Sequence, residues 1–188
     1  DIKTYSIKGI DDPYATGKID ITMHGFHAMI LSVRGDYFIV PFSKNENEIY
    51  ISYFKKDFIT NKTFECSFDS ELNDNSEPVN VSGEITSGTQ LRTYRLACAS
   101  TGEYTTYHGG TVAGGLAAIV TTVNRVNGVY EKDFSARMVL IGNNNLIVYT
   151  SSSTDPYTNN NGSTMLGQNQ TNLDNVIGTA NYDFGHVV

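Results

Sequence analysis

Short stretches of alternating apolar and polar residues fill the first third of the chain. Ile19, Ile21 and Met23 alternate with Lys18, Asp20 and Thr22, the two-residue period of a half-buried strand. Tyr50, Ser52 and Phe54 alternate with Ile49, Ile51 and Tyr53 in the same way. The pattern predicts strands at 2–10, 18–23, 26–33, 36–42 and 49–55. Arg34-Gly35-Asp36 separates two β-rich runs and predicts a hairpin. Residues 1–56 therefore read as a small antiparallel sheet, which needs a partner to cover one face.

The period changes in the second half. Residues 91–99 read as a buried strand. A long helix is expected over 105–131, where Val112, Leu116, Ile119, Val120, Val123, Val126 and Tyr130 recur at steps of three and four. Four glycines near its start (Gly109, Gly110, Gly114 and Gly115) each cost up to ~1 kcal/mol against alanine inside a helix, which close packing on a sheet would offset. Further strands are predicted at 135–141, 146–150 and 182–188, with a turn at Asn143-Asn-Asn, a polar loop over 151–162 and a weak helix over 169–180. This order indicates helices covering a sheet. Between the halves, residues 57–90 show no sustained period and read as a linker, which divides the chain into two modules.

Composition narrows the class. The chain has 188 residues, 39% of them hydrophobic, and a net charge of −7. That acidity disfavours nucleic acid as a partner, because phosphate neutralisation requires a basic surface. The charge is uneven: residues 1–90 carry 8 basic and 14 acidic side chains, net −6, and residues 91–188 carry 5 and 6, net −1. No apolar run approaches the ~18–20 residues of a membrane span. The first residue, Asp1, is not an initiator methionine and no signal peptide is present, so the chain is expected to be processed or trimmed. Two cysteines, Cys66 and Cys98, leave open a disulfide in an oxidising compartment or a free buried thiol.

Little in the pattern points to chemistry. His24 and His27 are three residues apart, and on one strand that odd offset places them on opposite faces, unable to share a metal. His108 has no second ligand at i+4. The sequence contains no His-Glu-x-x-His, no Cys-x-x-Cys and no Gly-x-Ser-x-Gly, and no Lys completes a phosphate loop after Gly110. Catalytic and metal-ligating residues are therefore expected to be absent from these residues. Asp155, with Asn159 to Asn161 nearby, offers oxygens of the kind calcium takes, but only one carboxylate is present.

Separated motifs in one order carry a more specific signal. Leu91-Arg-Thr-Tyr-Arg-Leu-Ala-Cys-Ala-Ser-Thr-Gly-Glu-Tyr-Thr, His108-Gly-Gly-Thr-Val, Thr122-Val-Asn-Arg-Val-Asn-Gly-Val-Tyr-Glu-Lys-Asp, Asp155-Pro-Tyr-Thr and Ile177-Gly-Thr-Ala-Asn-Tyr-Asp-Phe-Gly-His-Val follow one another. This run resembles the start of the catalytic domain in secreted bacterial reprolysin-like metallopeptidases of the metzincin clan. Tyr5-Ser-Ile-Lys-Gly-Ile-Asp-Asp-Pro, Gly25-Phe-His-Ala-Met and Tyr53-Phe-Lys-Lys-Asp-Phe resemble the propeptide that precedes it.

The resemblance implies an α+β or α/β chain in three parts. A β-rich propeptide would occupy 1–65, a linker 66–90, and the metzincin-like N-terminal part of the catalytic domain 91–188, with helices backing an incomplete mixed sheet. It implies a secreted or extracytoplasmic zinc endopeptidase acting on proteins or peptides, in which zinc-activated water attacks the scissile carbonyl. The family's zinc helix follows the region resembling 177–188, so this chain alone is expected to be inactive. A non-catalytic extracellular binding or adhesion module on a protease-like scaffold is the alternative.

Zymogens of this clan often block the zinc with a propeptide thiol, which makes Cys66 a candidate for that role beside the disulfide and free-thiol readings. Arg95, central in an apolar strand, is expected to need a partner, with Asp183 or Glu103 supplying it.

Overall fold

A computed structural model of the chain describes residues 1–44, 46–60 and 90–188. Among the described residues, five strands form an antiparallel meander in chain order. They are β1 (Lys3–Lys8), β2 (Thr16–Thr22), β3 (Gly25–Leu31), β4 (Tyr37–Pro41) and β5 (Tyr50–Phe54). The predicted hairpin between β3 and β4 is present. Gly35 supplies a backbone φ of +119°, and its N–H donates to Ser32 at 3.0 Å.

The burial of β2 inverts what its pattern suggests. Lys18, Asp20 and Thr22 are the buried face, at 7%, 1% and 8% exposure, while Ile21 and Met23 are exposed. Ile19 instead joins Ile7, Ala28, Ile30 and Ile39 in a small apolar cluster. Cross-strand register explains the grouping: Ile19 lies opposite Ala28, whereas Lys18 lies opposite Met29 and Asp20 opposite His27. Alternation identifies two faces and does not say which one meets the rest of the molecule.

The second sheet is parallel, in the order β7-β6-β8 among the described residues. Its centre is β6 (Arg92–Ala99), flanked by β7 (Ala136–Leu140) and β8 (Phe184–Val187). Leu96 and Cys98 point to one side, where they pack with Ile119, Val123 and Val148. Ala97 and Ala99 point to the other and meet Ile141, Ile147, Leu173 and Ile177.

The long helix predicted over 105–131 is two helices, α1 (Gly102–Tyr107) and α2 (Val112–Asp133). Gly109 and Gly110 take φ of +99° and +71°, which no right-handed helix continues through. The Thr111 side chain then restarts the helix by accepting from Gly114 N at 3.0 Å. Gly102 allows α1 to lie against the 151–152 backbone: a Cβ there would overlap the main chain of Ser151 and Ser152.

The predicted strand at 146–150 is also absent. Residues 144–147 form a 3-10 turn, followed by an isolated bridge between Val148 and Ser100, the residue after β6. The Asn144 side chain takes the place of a neighbouring strand. Its Oδ1 accepts from Cys98 N and its Nδ2 donates to Cys98 O, both at 2.9 Å. The last helix, α3 (Gly162–Val176), begins seven residues before the predicted start, because the Asn161 side chain caps it by accepting from Thr164 N at 3.1 Å. Gly178, with φ of +86°, turns the chain out of it.

Helix α2 joins the two sheets. Leu116, Ile119 and Val123 form its apolar stripe toward β6 and β7. The opposite stripe, Thr121, Asn124, Gly128 and Glu131, meets the antiparallel sheet. Thr121 Oγ1 donates to Asp20 Oδ1 at 2.7 Å, and Asn124 Nδ2 donates to Ile19 O at 3.0 Å. Lys18 Nζ pairs with Glu131 Oε2 at 2.7 Å and donates to Ser6 Oγ at the same distance. Glu131 Oε1 takes Arg137 Nε at 2.6 Å. Burial raises the Glu131 pKa, but the hydrogen bonds from Arg137 and Lys18 outweigh that and hold it below its ordinary value.

Replacing Glu131 strands Lys18 in the interior. Glu131→Ala is expected to destabilise the chain by about 3 kcal/mol in urea unfolding, as for a broken buried ion pair. A loss within about 0.5 kcal/mol, typical of a neutral surface change, would show that the pair carries no weight.

Candidate functional site

A cavity of about 480 Å³ opens between the antiparallel sheet and the two helices. From the sheet come His24, His27, Val40, Pro41, Phe42, Ser43 and Lys44. From the helices and the bend between them come Tyr104, Tyr107, His108, Ala118, Thr121, Thr122 and Arg125. The condition for placing His24 and His27 on opposite faces, that both lie on one strand, is not met. His24 occupies the turn before Gly25, outside the strand, so the alternation rule does not govern it. Both rings reach the same cavity.

His24 Nε2 lies 2.9 Å from Gly114 O, the carbonyl accepting, and the His24 ring stands 5.6 Å from that of His108. His108 also packs against Tyr104 at 4.5 Å and Tyr107 at 4.9 Å. Lys44 Nζ sits 3.9 Å above the Tyr107 ring, and the Arg125 guanidinium lies 5.8 Å from the centre of Phe38. His27 Nδ1 stands 3.0 Å from Asp20 Oδ1, so the one buried carboxylate nearby already serves His27 and Thr121. Burial lowers the pKa of His108, and the charges of His24 and Lys44 lower it further.

The other residues singled out by sequence lie elsewhere. Cys66 falls outside the described residues. Cys98 is a free, buried thiol whose pKa burial pushes up to about 12, which keeps it protonated and inert as a ligand. Arg95 stands against Asp183, with Nη2 2.7 Å from Oδ1, while its backbone N–H donates to Oδ2 at 2.7 Å. Arg95 Nη1 donates to Ala180 O at 2.8 Å. The Arg95 side chain is 51% exposed, so the expectation of a buried guanidinium is corrected. It lies on the part of β6 preceding the buried residues, which begin at Leu96. Glu103 is exposed at the start of α1.

Calcium at Asp155 finds no support. Oδ2 accepts from Gly102 N at 2.7 Å and Oδ1 from Tyr157 N at 3.0 Å, so both carboxylate oxygens hold backbone N–H groups. The carboxylate anchors the first turn of α1. Sequence reasoning missed Lys44 and Arg125 altogether, and treated Asp20 only as the polar half of an alternation. No local signal marks such residues, because the cavity forms only when the sheet meets α2.

Acid should weaken the fold through His108. The folded state favours the neutral ring, so the unfolded chain binds the proton more tightly. This contribution is fully present above the ordinary imidazole value of 6.5 and is lost as pH falls below it. Urea unfolding from pH 8 to pH 5 is expected to show that loss, and His108→Gln is expected to flatten it. An unchanged slope in the variant would remove His108 from the account.

Residues 90–188 match the family model described as metallo-peptidase family M12B, reprolysin-like. No curated protein and no solved structure matches the chain. Enzymes of this family use zinc, but among the described residues no group of three or more His, Cys, Asp or Glu side chains can hold a metal ion. The residues around the cavity do not fit zinc. The match covers more than half of the sequence and includes β6, both helices beside the cavity, β7, α3 and β8. The chain belongs to the reprolysin-like M12B metallopeptidase family.

Proposed function

We propose that this chain is part of a secreted zinc metalloendopeptidase precursor. The β module within 1–65 is its propeptide, 66–90 a linker, and 91–188 the N-terminal part of a metzincin-like catalytic domain. The intact protein hydrolyses peptide bonds in proteins or peptides, and zinc is its cofactor. The observation that carries the reading is the family match that begins at residue 90, beyond the antiparallel sheet, while that sheet packs on α2 within the match. A propeptide that assists folding and covers the enzyme needs such a contact. Cys66 lies ahead of the matched segment and is the thiol proposed to block the metal.

The contact is largely polar, built on Asp20, Thr121, Asn124, Lys18 and Glu131. Water can satisfy those groups once the sheet departs, so separation costs less than opening an apolar core.

The 188-residue chain is expected to leave casein intact with or without added zinc. The longer product, once its propeptide is cut away, is expected to cleave it and to lose that activity to a zinc chelator. Chelator-sensitive cleavage by the 188-residue chain itself, or a longer product that stays inactive after propeptide removal and zinc loading, would contradict the reading.

A further inference from the structure

We propose that the cavity between the antiparallel sheet and helices α1 and α2 binds a small organic oxyanion, a carboxylate or phosphate carried on an apolar body, anchored by Arg125 and Lys44. The inference does not depend on the peptidase reading.

Charge is the first argument. The chain as a whole carries −7, yet no Asp or Glu side chain lines this cavity among the described residues. Arg125, Lys44 and three histidines do. Asp20, which stands 3.0 Å from His27, is 1% exposed and already serves His27 and Thr121, so Arg125 and Lys44 have no acidic partner in the cavity among the described residues. The His108 pKa is lowered first by burial, and the charges of His24 and Lys44 lower it further.

Hydrogen bonding is the second argument. Arg125 Nε and Nη2 are buried and have no hydrogen-bond partner among the described residues. These two N–H groups form one edge of the guanidinium fork, the edge that receives a carboxylate or phosphate through two parallel bonds. Leaving them unpaired and out of water is unfavourable, and a shift of the Arg125 side chain toward the cavity it lines lets an incoming oxyanion remove that penalty. The guanidinium carbon lies 5.8 Å from the centre of the Phe38 ring, within reach of its electron-rich face.

Shape is the third. A volume of about 480 Å³ lies within the roughly 300–1,000 Å³ of small-molecule sites. Tyr104, Tyr107 and Val40 supply apolar wall, suited to the body of the ligand. Lys44, held over Tyr107, places an exposed ammonium for the anionic end.

The test is calorimetric titration of the full 188-residue chain with benzoate, phenyl phosphate and neutral benzyl alcohol. Saturable binding of benzoate, phenyl phosphate or both, with none of the alcohol, is the expected result, and which anion binds separates carboxylate from phosphate. Arg125→Met is expected to weaken binding by about tenfold or more, as loss of a charge-assisted fork would. Lys44→Met, on an exposed side chain, is expected to weaken it by about fivefold and keeps the test decisive should the Arg125 variant fail to fold. In parallel, the His108 ring proton should titrate at higher pH with the anion bound. Neither anion binding, the alcohol binding as well as the anions, or both variants binding like the parent chain would overturn the proposal.

Discussion

A helix covered by a sheet on each side must present two compatible surfaces within one sequence, and α2 does so with unlike chemistry. Its stripe through Leu116, Ile119 and Val123 is apolar and meets the parallel sheet. Its opposite stripe through Thr121, Asn124, Gly128 and Glu131 meets the polar face of β2. Asp20 is the critical group at that second surface. A carboxylate at 1% exposure is tolerable only because a hydroxyl and an imidazole both stand within hydrogen-bond distance of it. Gly128 leaves the space that the Met29 methyl fills, where a Cβ would make that side chain move aside.

The cavity follows from this arrangement. Asp20, Thr121 and His27 clamp the sheet to the middle of α2, while the bend at Gly109 and Gly110 directs α1 along a different line. Between the clamp and the bend, side chains from both layers face each other without filling the space. The acidic partner is used up within the clamp, so Arg125 and Lys44 on the cavity wall have no carboxylate facing them among the described residues. Under the propeptide reading, this seam separates the part that leaves from the part that remains, and its polarity suits a temporary contact.

Much of the fold was legible from periodicity. The five short strands, the hairpin at Gly35, the strand at 92–99 and the helical stripe on α2 all follow from period two or three to four. What periodicity does not carry is orientation and interruption. The alternation in β2 is real, yet its buried face is Lys18, Asp20 and Thr22, because partners on α2 compensate their burial. The stripe of the long helix begins at Val112, and Gly109 and Gly110 break the backbone just ahead of it, inside the predicted span 105–131. At 144–147 an asparagine side chain occupies the position that β propensity assigns to a strand. The family was readable because its motifs span the matched segment. The cavity was not, since its residues come from positions as far apart as His24 and Arg125 and share no local pattern.

The direct test of the account is a double-mutant cycle between the sheet and the helix. Unfolding free energies would be measured for Asp20→Ala, Thr121→Val and the pair. A coupling of about 0.5–3 kcal/mol is predicted for two groups joined by a buried hydrogen bond. Strictly additive losses would mean that Asp20 and Thr121 do not meet, and the packing of the antiparallel sheet on α2 would fall with them.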